Sequence, residues 1–159
     1  MKVLYFHQHF STPDGAASTR SYEFARQLIK EGHSVTIVCG SYWLAETGLN
    51  KEFKSHFREG KVDGIDIKEI DLKYSNSDSF MKRTITFFRF SWYGIKMTLN
   101  SDYDVCFASS TPLTAGIPGI FAKIIRRKSF IFEVRDLWPE LPKAMGVIKN
   151  PVILKMMDF

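Results

Sequence analysis

"KVLYFHQHFSTPDGAASTR", residues 2 to 20, is the stretch on which the reading of the fold turns. Its compact apolar start, Lys2–His7, has the character of a buried strand, and a turn of small and polar residues follows. From Thr19 to Glu31 the apolar residues Tyr22, Ala25, Leu28 and Ile29 recur at helical spacing, with Ser18 or Thr19 as the cap. Gly32 is placed to stop that helix, because only glycine takes the left-handed conformation there without strain. "SVTIVCG", residues 34 to 40, is a second buried strand. The first forty residues therefore form a β-α-β unit, and a right-handed crossover makes its two strands parallel.

The turn inside this unit, "HFSTPDGAASTR", holds one glycine, Gly15. Gly15, Ala16 and Ala17 are small, so their backbone can press close to a ligand. Ser18 and Thr19 behind them open a helix whose free N–H groups and positive dipole end attract anions. A capped connection that binds nothing fits the same residues equally well.

Working outward, residues 41 to 61 are irregular by pattern, with a short helix expected over Lys51–Phe57. Asp63-Gly64 is a strong hairpin signal. The alternation at Ile65 and Ile67 then slips one place to Ile70, Leu72 and Tyr74, which predicts a bulge near Lys68–Glu69. A long aromatic helix spans Ser79 to Leu99, "DYDVCFASS" is a strand, Pro112 to Arg126 a helix, and "KSFIFEVRD" another strand. Strands alternating with helices predict an α/β, Rossmann-like, doubly wound and mainly parallel sheet with a β-hairpin excursion. Residues 1–150 read as one domain. Residues 151–159 read either as the start of a helix leading to a further domain or as the frayed end of a complete small one.

Composition narrows the class. The 159 residues are 45% hydrophobic and 14% aromatic, which excludes a disordered chain and allows a sizeable core. A net charge of +5 and a pI near 9.2 suit phosphorylated ligands or an anionic membrane surface, and are too mild to argue for nucleic acid. Cys39 and Cys106 sit in apolar runs and read as buried, reduced thiols of a cytoplasmic protein. "MKVLYFHQHF" turns polar too soon for a signal peptide, and no 18-residue apolar stretch exists.

In open α/β sheets, ligands bind beyond the carboxyl ends of the strands. Four segments here follow strands: the opening turn, "CGSYW", "ASSTPLT" and "RDLWPE". A dinucleotide site needs G-x-G-x-x-G and an acid ending the second strand, and both are missing, as is a Lys-Ser or Lys-Thr phosphate loop. His7 and His9 are two apart, with Asp14 and Asp136 as distant candidates, but no third ligand is spaced to join them and no metal is expected. Pro139 and Pro142 make "RDLWPELP" extended, so Asp136 and Glu140 need not face each other. Arg135 beside Asp136 reads equally as a structural ion pair or as a phosphate-binding cation next to a carboxylate for a sugar hydroxyl.

The aromatic helix carries Phe80, Phe87, Phe88, Phe90, Trp92 and Tyr93, with no acid between Asp78 and Asp102. Lys82, Arg89 and Lys96 fall seven apart on one stripe, with Arg83 adjacent. One reading has this helix cover the sheet with its cations solvated. The other has aromatics and cations facing an anionic bilayer, as a protein peripheral on the inner face of the cell membrane would use them.

"KVLYFHQHFSTPDGAASTR", "KEGHSVTIVCG", "VDGIDI", "ASSTPLTAG" and "FEVRDLWPE", in that order, resemble the N-terminal domain of family 4 glycosyltransferases. "EVRDLWPE" is similar to the bacterial polysaccharide subgroup often labelled N-acetyl-L-fucosamine transferases. The resemblance implies one half of a GT-B fold, in which two Rossmann-like domains face each other across a cleft. It implies that Gly15 and Ala16 approach the donor diphosphate, where many members carry two glycines. It further implies an acceptor held by Ser18, Arg20, Thr111, Trp138 and Glu140, with Arg135 and Asp136 as the catalytic pair. Members often place a histidine before that aspartate; Arg135 stands there, so no catalytic histidine is carried over. The resemblance implies that the family's C-terminal Glu-x7-Glu element, which holds the donor sugar and nucleotide ribose, belongs to a further domain outside these 159 residues.

The implied activity is retaining transfer of a sugar from a nucleotide-sugar donor to a lipid-linked or saccharide acceptor in surface polysaccharide synthesis. The donor is a substrate; no cofactor and no obligatory metal are expected. The 159 residues alone would be inactive. The reading from another class is a non-catalytic Rossmann-like module that binds a phosphorylated ligand or a partner protein.

Overall fold

The computed structural model describes residues 1–135. Six strands and three helices alternate as the sequence leads one to expect: β1 (Lys2–Phe6), α1 (Arg20–Lys30), β2 (Ser34–Tyr42), β3 (Phe57–Val62), β4 (Ile65–Tyr74), α2 (Phe80–Asn100), β5 (Val105–Ser109), α3 (Ile117–Ile124) and β6 (Ser129–Glu133). They form one sheet of order β3-β4-β2-β1-β5-β6. Every pairing is parallel except the β3–β4 hairpin. The chain leaves β1 toward β2 and β4, then returns to β5 on the other side of β1. The sheet therefore reverses between β1 and β5, where a crevice opens beyond the strand ends.

Alternate residues of β1 serve opposite faces. Val3 and Tyr5 join Ile37, Ile65 and Ile67 beneath α1, where Tyr22, Leu28 and Ile29 close that half of the core. Leu4 and Phe6 join Val38, Ile70, Leu72 and Phe90 on the opposite face. Full burial of each such side chain is worth about 1.5–3 kcal/mol, so these two layers supply most of the driving force. Gly94 of α2 lets α3 approach closely: a Cβ there would lie 2.5 Å from Pro118 Cγ. Cys39 and Cys106 are free thiols in these two layers, both fully buried.

Three local expectations change. Lys51–Phe57 is not helical: Ser55 and His56, both at positive φ, make a tight turn between Lys54 and Phe57, which exchange two backbone hydrogen bonds. The 112–126 helix splits into a 3-10 turn, Leu113–Gly116, and the shorter α3. No bulge lies at Lys68–Glu69, since β3 and β4 pair without interruption from Val62↔Ile65 to Phe57↔Ile70. The shift in alternation has another cause. Ile65 and Ile67 face α1, whereas Ile70 and Leu72 face α2, because the sheet is covered on both sides. The irregularity falls later, where β2 pairs Gly40 with Ile70 but Tyr42 with Tyr74. Asp63 and Gly64, with φ of 51° and 86°, form the expected hairpin turn, and α1 fastens it through Tyr22 Oη donating to Asp63 Oδ2 at 2.8 Å.

Candidate functional site

The crevice at the β1/β5 reversal contains a cavity of about 480 Å³. His7, Ala16, Ser18, Arg20, Thr111 and Arg135 are among its lining residues. Four segments distant in sequence thus meet: the opening turn, the end of β2 with Leu44 after it, the loop after β5 and the end of β6. Of the residues named from sequence, Ser18, Arg20, Thr111, Arg135 and Ala16 converge here. Asp136, Trp138 and Glu140 lie outside the described residues, as does the 151–159 segment.

His7 follows β1 directly and is buried. Arg135 Nη1 lies 3.3 Å from His7 Nε2, and His7 Nδ1 lies 2.6 Å from Ser21 Oγ. A guanidinium only donates, so Nε2 accepts and Nδ1 carries the proton that it donates to Ser21. Burial, then the nearby His9 and the Arg135 charge, push the His7 pKa down to about 3. The ring is therefore neutral and its accepting nitrogen is occupied. Its Nε2 accepts from Arg135 and so orients that side chain.

Arg135 is held at two further points: its backbone N–H donates to Ser110 Oγ at 2.7 Å, and Nη2 lies 3.5 Å from Ser18 Oγ. All three partners are neutral. Among the described residues no carboxylate pairs with Arg135. Arg20 differs. Its Nη2 lies 2.5 Å from Glu133 Oε1, while Glu133 also accepts from Ser109 Oγ, which pairs with Tyr5 Oη at 2.9 Å. Burial raises the Tyr5 pKa to about 12, so that hydroxyl keeps its proton. Arg20 is fixed by this chain at the rim, whereas the described partners of Arg135 are all neutral.

The opening turn is anchored by the segment after β2. Thr12 N–H donates to Glu46 O at 2.7 Å and Ala16 N–H to Leu44 O at 2.9 Å, while Gly15 N–H donates to Thr12 O at 3.2 Å. A Cβ on Gly15 would lie 2.3 Å from Ser11 Oγ and 2.5 Å from Glu46 N, so glycine is required there by packing. Ala16 lines the cavity and Gly15 does not. With the Gly15 and Ala16 amides engaged, the cleft side of the turn is presented by Ala17 and Ser18 at the start of α1.

A second cavity, about 410 Å³ and mostly apolar, adjoins the first and shares His9 and Thr111 with it. Tyr74, Phe80, Phe87 and Leu113 line it, together with Arg83. His9 stacks on Tyr42 and Tyr74 with ring centroids 4.8 and 4.6 Å away. Burial, then Arg135 and Arg83, lower its pKa to about 4. Thr111 sits at the junction with φ of 105°, an unusual conformation for a β-branched residue. Arg83 turns inward over the Tyr74 ring, 5.9 Å from its centroid, and so leaves the outward stripe on which Lys82, Arg89 and Lys96 lie.

Sequence reasoning did not single out Glu133, Ser109 or Tyr5, and considered His7 only as a metal ligand. Among the described residues no group of three or more His, Cys, Asp or Glu side chains could hold a metal ion. The signal for Glu133 was present: it is the last residue of an apolar strand, two before Arg135. Its partner Arg20 could not be assigned without the sheet order.

No protein-family profile matches the sequence, and no curated protein does. Among solved structures, the chain is similar to one described as trehalose-6-phosphate from E. coli bound with UDP-2-fluoro glucose. The TM-score is 0.52 at 12% identity, over 99% of this chain and 38% of that one. The chain thus spans well under half the length of that relative. At this identity the likeness speaks to architecture: the six-stranded, mostly parallel sheet is a Rossmann-like fold matching one half of a GT-B structure.

Proposed function

We propose that this chain is the acceptor-side half of a GT-B glycosyltransferase, contributing one wall of a cleft in which a sugar passes from a nucleotide-sugar donor to an acceptor. The observation that carries the reading is Arg135, a cation at the sheet reversal that the described residues hold through neutral groups and that lines an open cavity. A guanidinium in that setting suits a phosphate oxygen, because its planar fork can donate two parallel hydrogen bonds. Ser18 and Thr111 offer hydroxyls to a saccharide on the same wall. Asp136, next along the chain, is the proposed carboxylate partner for a sugar hydroxyl. In this reading the reaction is retaining, the acceptor is lipid-linked or a saccharide, and the product belongs to a surface polysaccharide.

The resemblance of "EVRDLWPE" to the bacterial polysaccharide transferases supports this assignment, as does the fold likeness to a structure solved with a uridine diphosphate sugar analogue. The test is a donor screen on the full-length protein with candidate lipid-linked and saccharide acceptors, read by release of the nucleoside diphosphate. Transfer by the full-length protein and none by residues 1–159 alone is the expected result. Turnover by the 159 residues, or no transfer with any donor, overturns the reading.

A further inference from the structure

A charge stands in the wall of the apolar cavity that adjoins the Arg135 cleft. The cavity, about 410 Å³, lies within the range of about 300–1,000 Å³ common to small-molecule sites. Tyr74, Phe87 and Pro112 give it an apolar lining, and Phe80 and Leu113, which also line it, are exposed and frame its opening. Its described lining residues include no acid, and His9 stays neutral there, so the charge of the wall is that of Arg83. Arg83 is half-buried, with its guanidinium over the Tyr74 ring, 5.9 Å from the centroid. Among the described residues no carboxylate pairs with it. Asp78, the acid whose charge it influences, is engaged by Lys82 at 2.6 Å and by the Ser75 amide at 3.0 Å. Three lining residues also carry a buried polar atom with no partner among the described residues: His9 Nε2, Arg83 Nε and Thr114 Oγ1. A buried polar group left unpaired costs about 1–3 kcal/mol, so an occupant that brings oxygen lone pairs to this wall is favoured over a hydrocarbon.

We propose that this cavity is a second ligand site, taking a small molecule with an apolar, ring-sized body and a single carboxylate held on Arg83. The body would lie among Tyr74, Phe87 and Leu113, where it is removed from water. A guanidinium set against an aromatic ring and partly shielded from solvent makes strong charge-assisted hydrogen bonds to a carboxylate. One cation matches one negative charge. A phosphate dianion would carry a second charge into an apolar lining with nothing to offset it, and a free sugar has no apolar body to bury. His9 and Thr111 line both cavities, so this ligand would share part of its wall with the Arg135 cleft. The inference stands whether or not the chain takes part in sugar transfer.

Isothermal titration calorimetry on the 159-residue chain at neutral pH tests it with four probes. These are 2-naphthoate, the uncharged 2-naphthylmethanol, the cation 2-naphthylmethylammonium, and acetate, an anion without an apolar body. 2-Naphthoate is expected to bind at least about tenfold more tightly than the alcohol, in line with a hydrogen bond to a charged group, and the other two more weakly still. Arg83→Met should bring 2-naphthoate down to the level of the alcohol and leave the alcohol unchanged. Leu113→Asp, at the exposed opening, gives an independent reading if Arg83→Met loses the wild-type circular dichroism spectrum: it should weaken 2-naphthoate several-fold more than the alcohol. Equal affinity for 2-naphthoate and the alcohol, no binding of either, or an undiminished preference in the folded variants overturns the inference. So does a preference that Arg135→Gln removes and Arg83→Met keeps, which would put the carboxylate in the adjoining cleft. None of these readouts involves glycosyl transfer.

Discussion

A fall in pH from about 7.5 to about 5.5 should destabilise this protein through two histidines that the fold keeps neutral. The unfolded chain protonates each imidazole near pH 6.5, whereas in the folded chain His7 waits until about 3 and His9 until about 4. Between those limits the unfolded state holds more protons, so stability rises with pH and is fully present above about 6.5. Two pH units straddling 6.5 cost about 1.4 kcal/mol for each histidine, or about 2.7 kcal/mol together. The causes are structural: His7 is buried with Arg135 against its Nε2, and His9 is packed against the Tyr42 and Tyr74 rings. Urea unfolding across this range reads the effect directly. His7→Asn preserves a donor toward Ser21 and removes the titrating ring, so the pH slope should fall by about half; adding His9→Gln should nearly flatten it. A wild-type midpoint that stays level between these pH values refutes the reasoning, and so does a double variant that keeps the full slope.

Arg58→Met should cost about 3–5 kcal/mol in urea unfolding, because Arg58 Nε and Nη2 donate to the buried Glu69 carboxylate at 2.8 and 3.0 Å and no other cation pairs with it among the described residues. Replacing Glu69→Leu in the same chain should recover much of that loss. Gly15→Ala should destabilise by about 1–3 kcal/mol, since its methyl group would meet Ser11 and the Glu46 backbone; an unchanged unfolding midpoint would show that the turn can move aside. In the full-length protein, Arg135→Gln should lower transfer by about 10²–10³-fold, the usual loss on removing one donor to developing charge, while the unfolding midpoint shifts far less. Equal transfer rates would remove Arg135 from the anion site.

Much of the fold was legible because its signals are local. The Lys2–Phe6 and Ser34–Tyr42 strands are continuous apolar runs, Gly32 takes φ of 80° where α1 stops, and Asp63-Gly64 supplies the two positive φ values of its hairpin. What misled was tertiary. Ile70 and Leu72 were read as a slipped register because one buried face was assumed, and a sheet with helices on both sides needs no slip. Residues 51 to 57 read as a helix, but their geometry is set by pairing with β4: Asp71 N–H donates to His56 O at 2.9 Å. The site was legible as a set of strand-end segments, and Ser18, Arg20, Thr111 and Arg135 do meet. Their ranking was not legible, because it depends on which cation Glu133 neutralises.

That ranking follows from how the cleft wall is built. Glu69 on β4 accepts from Ser41 Oγ at 3.0 Å and Thr47 Oγ1 at 2.6 Å, and so holds both ends of the segment after β2. This segment in turn accepts hydrogen bonds from the Thr12 and Ala16 amides, which fixes the opening turn, while the Gly15 amide donates to Thr12 O within the turn. A Rossmann turn that grips a dinucleotide keeps such amides for the pyrophosphate. Here they serve the protein, so the single glycine is a packing requirement and the turn contributes shape, with positive charge left to side chains. Arg20 answers to Glu133, and Arg83 is set over Tyr74 beside the apolar cavity. Among the described residues, Arg135 combines neutral supports with a place at the sheet reversal. In the proposed reading, that cation and the hydroxyls beside it orient a diphosphate without enclosing it. Tight binding of a nucleotide sugar then calls for a second surface across the cleft, as the GT-B architecture provides.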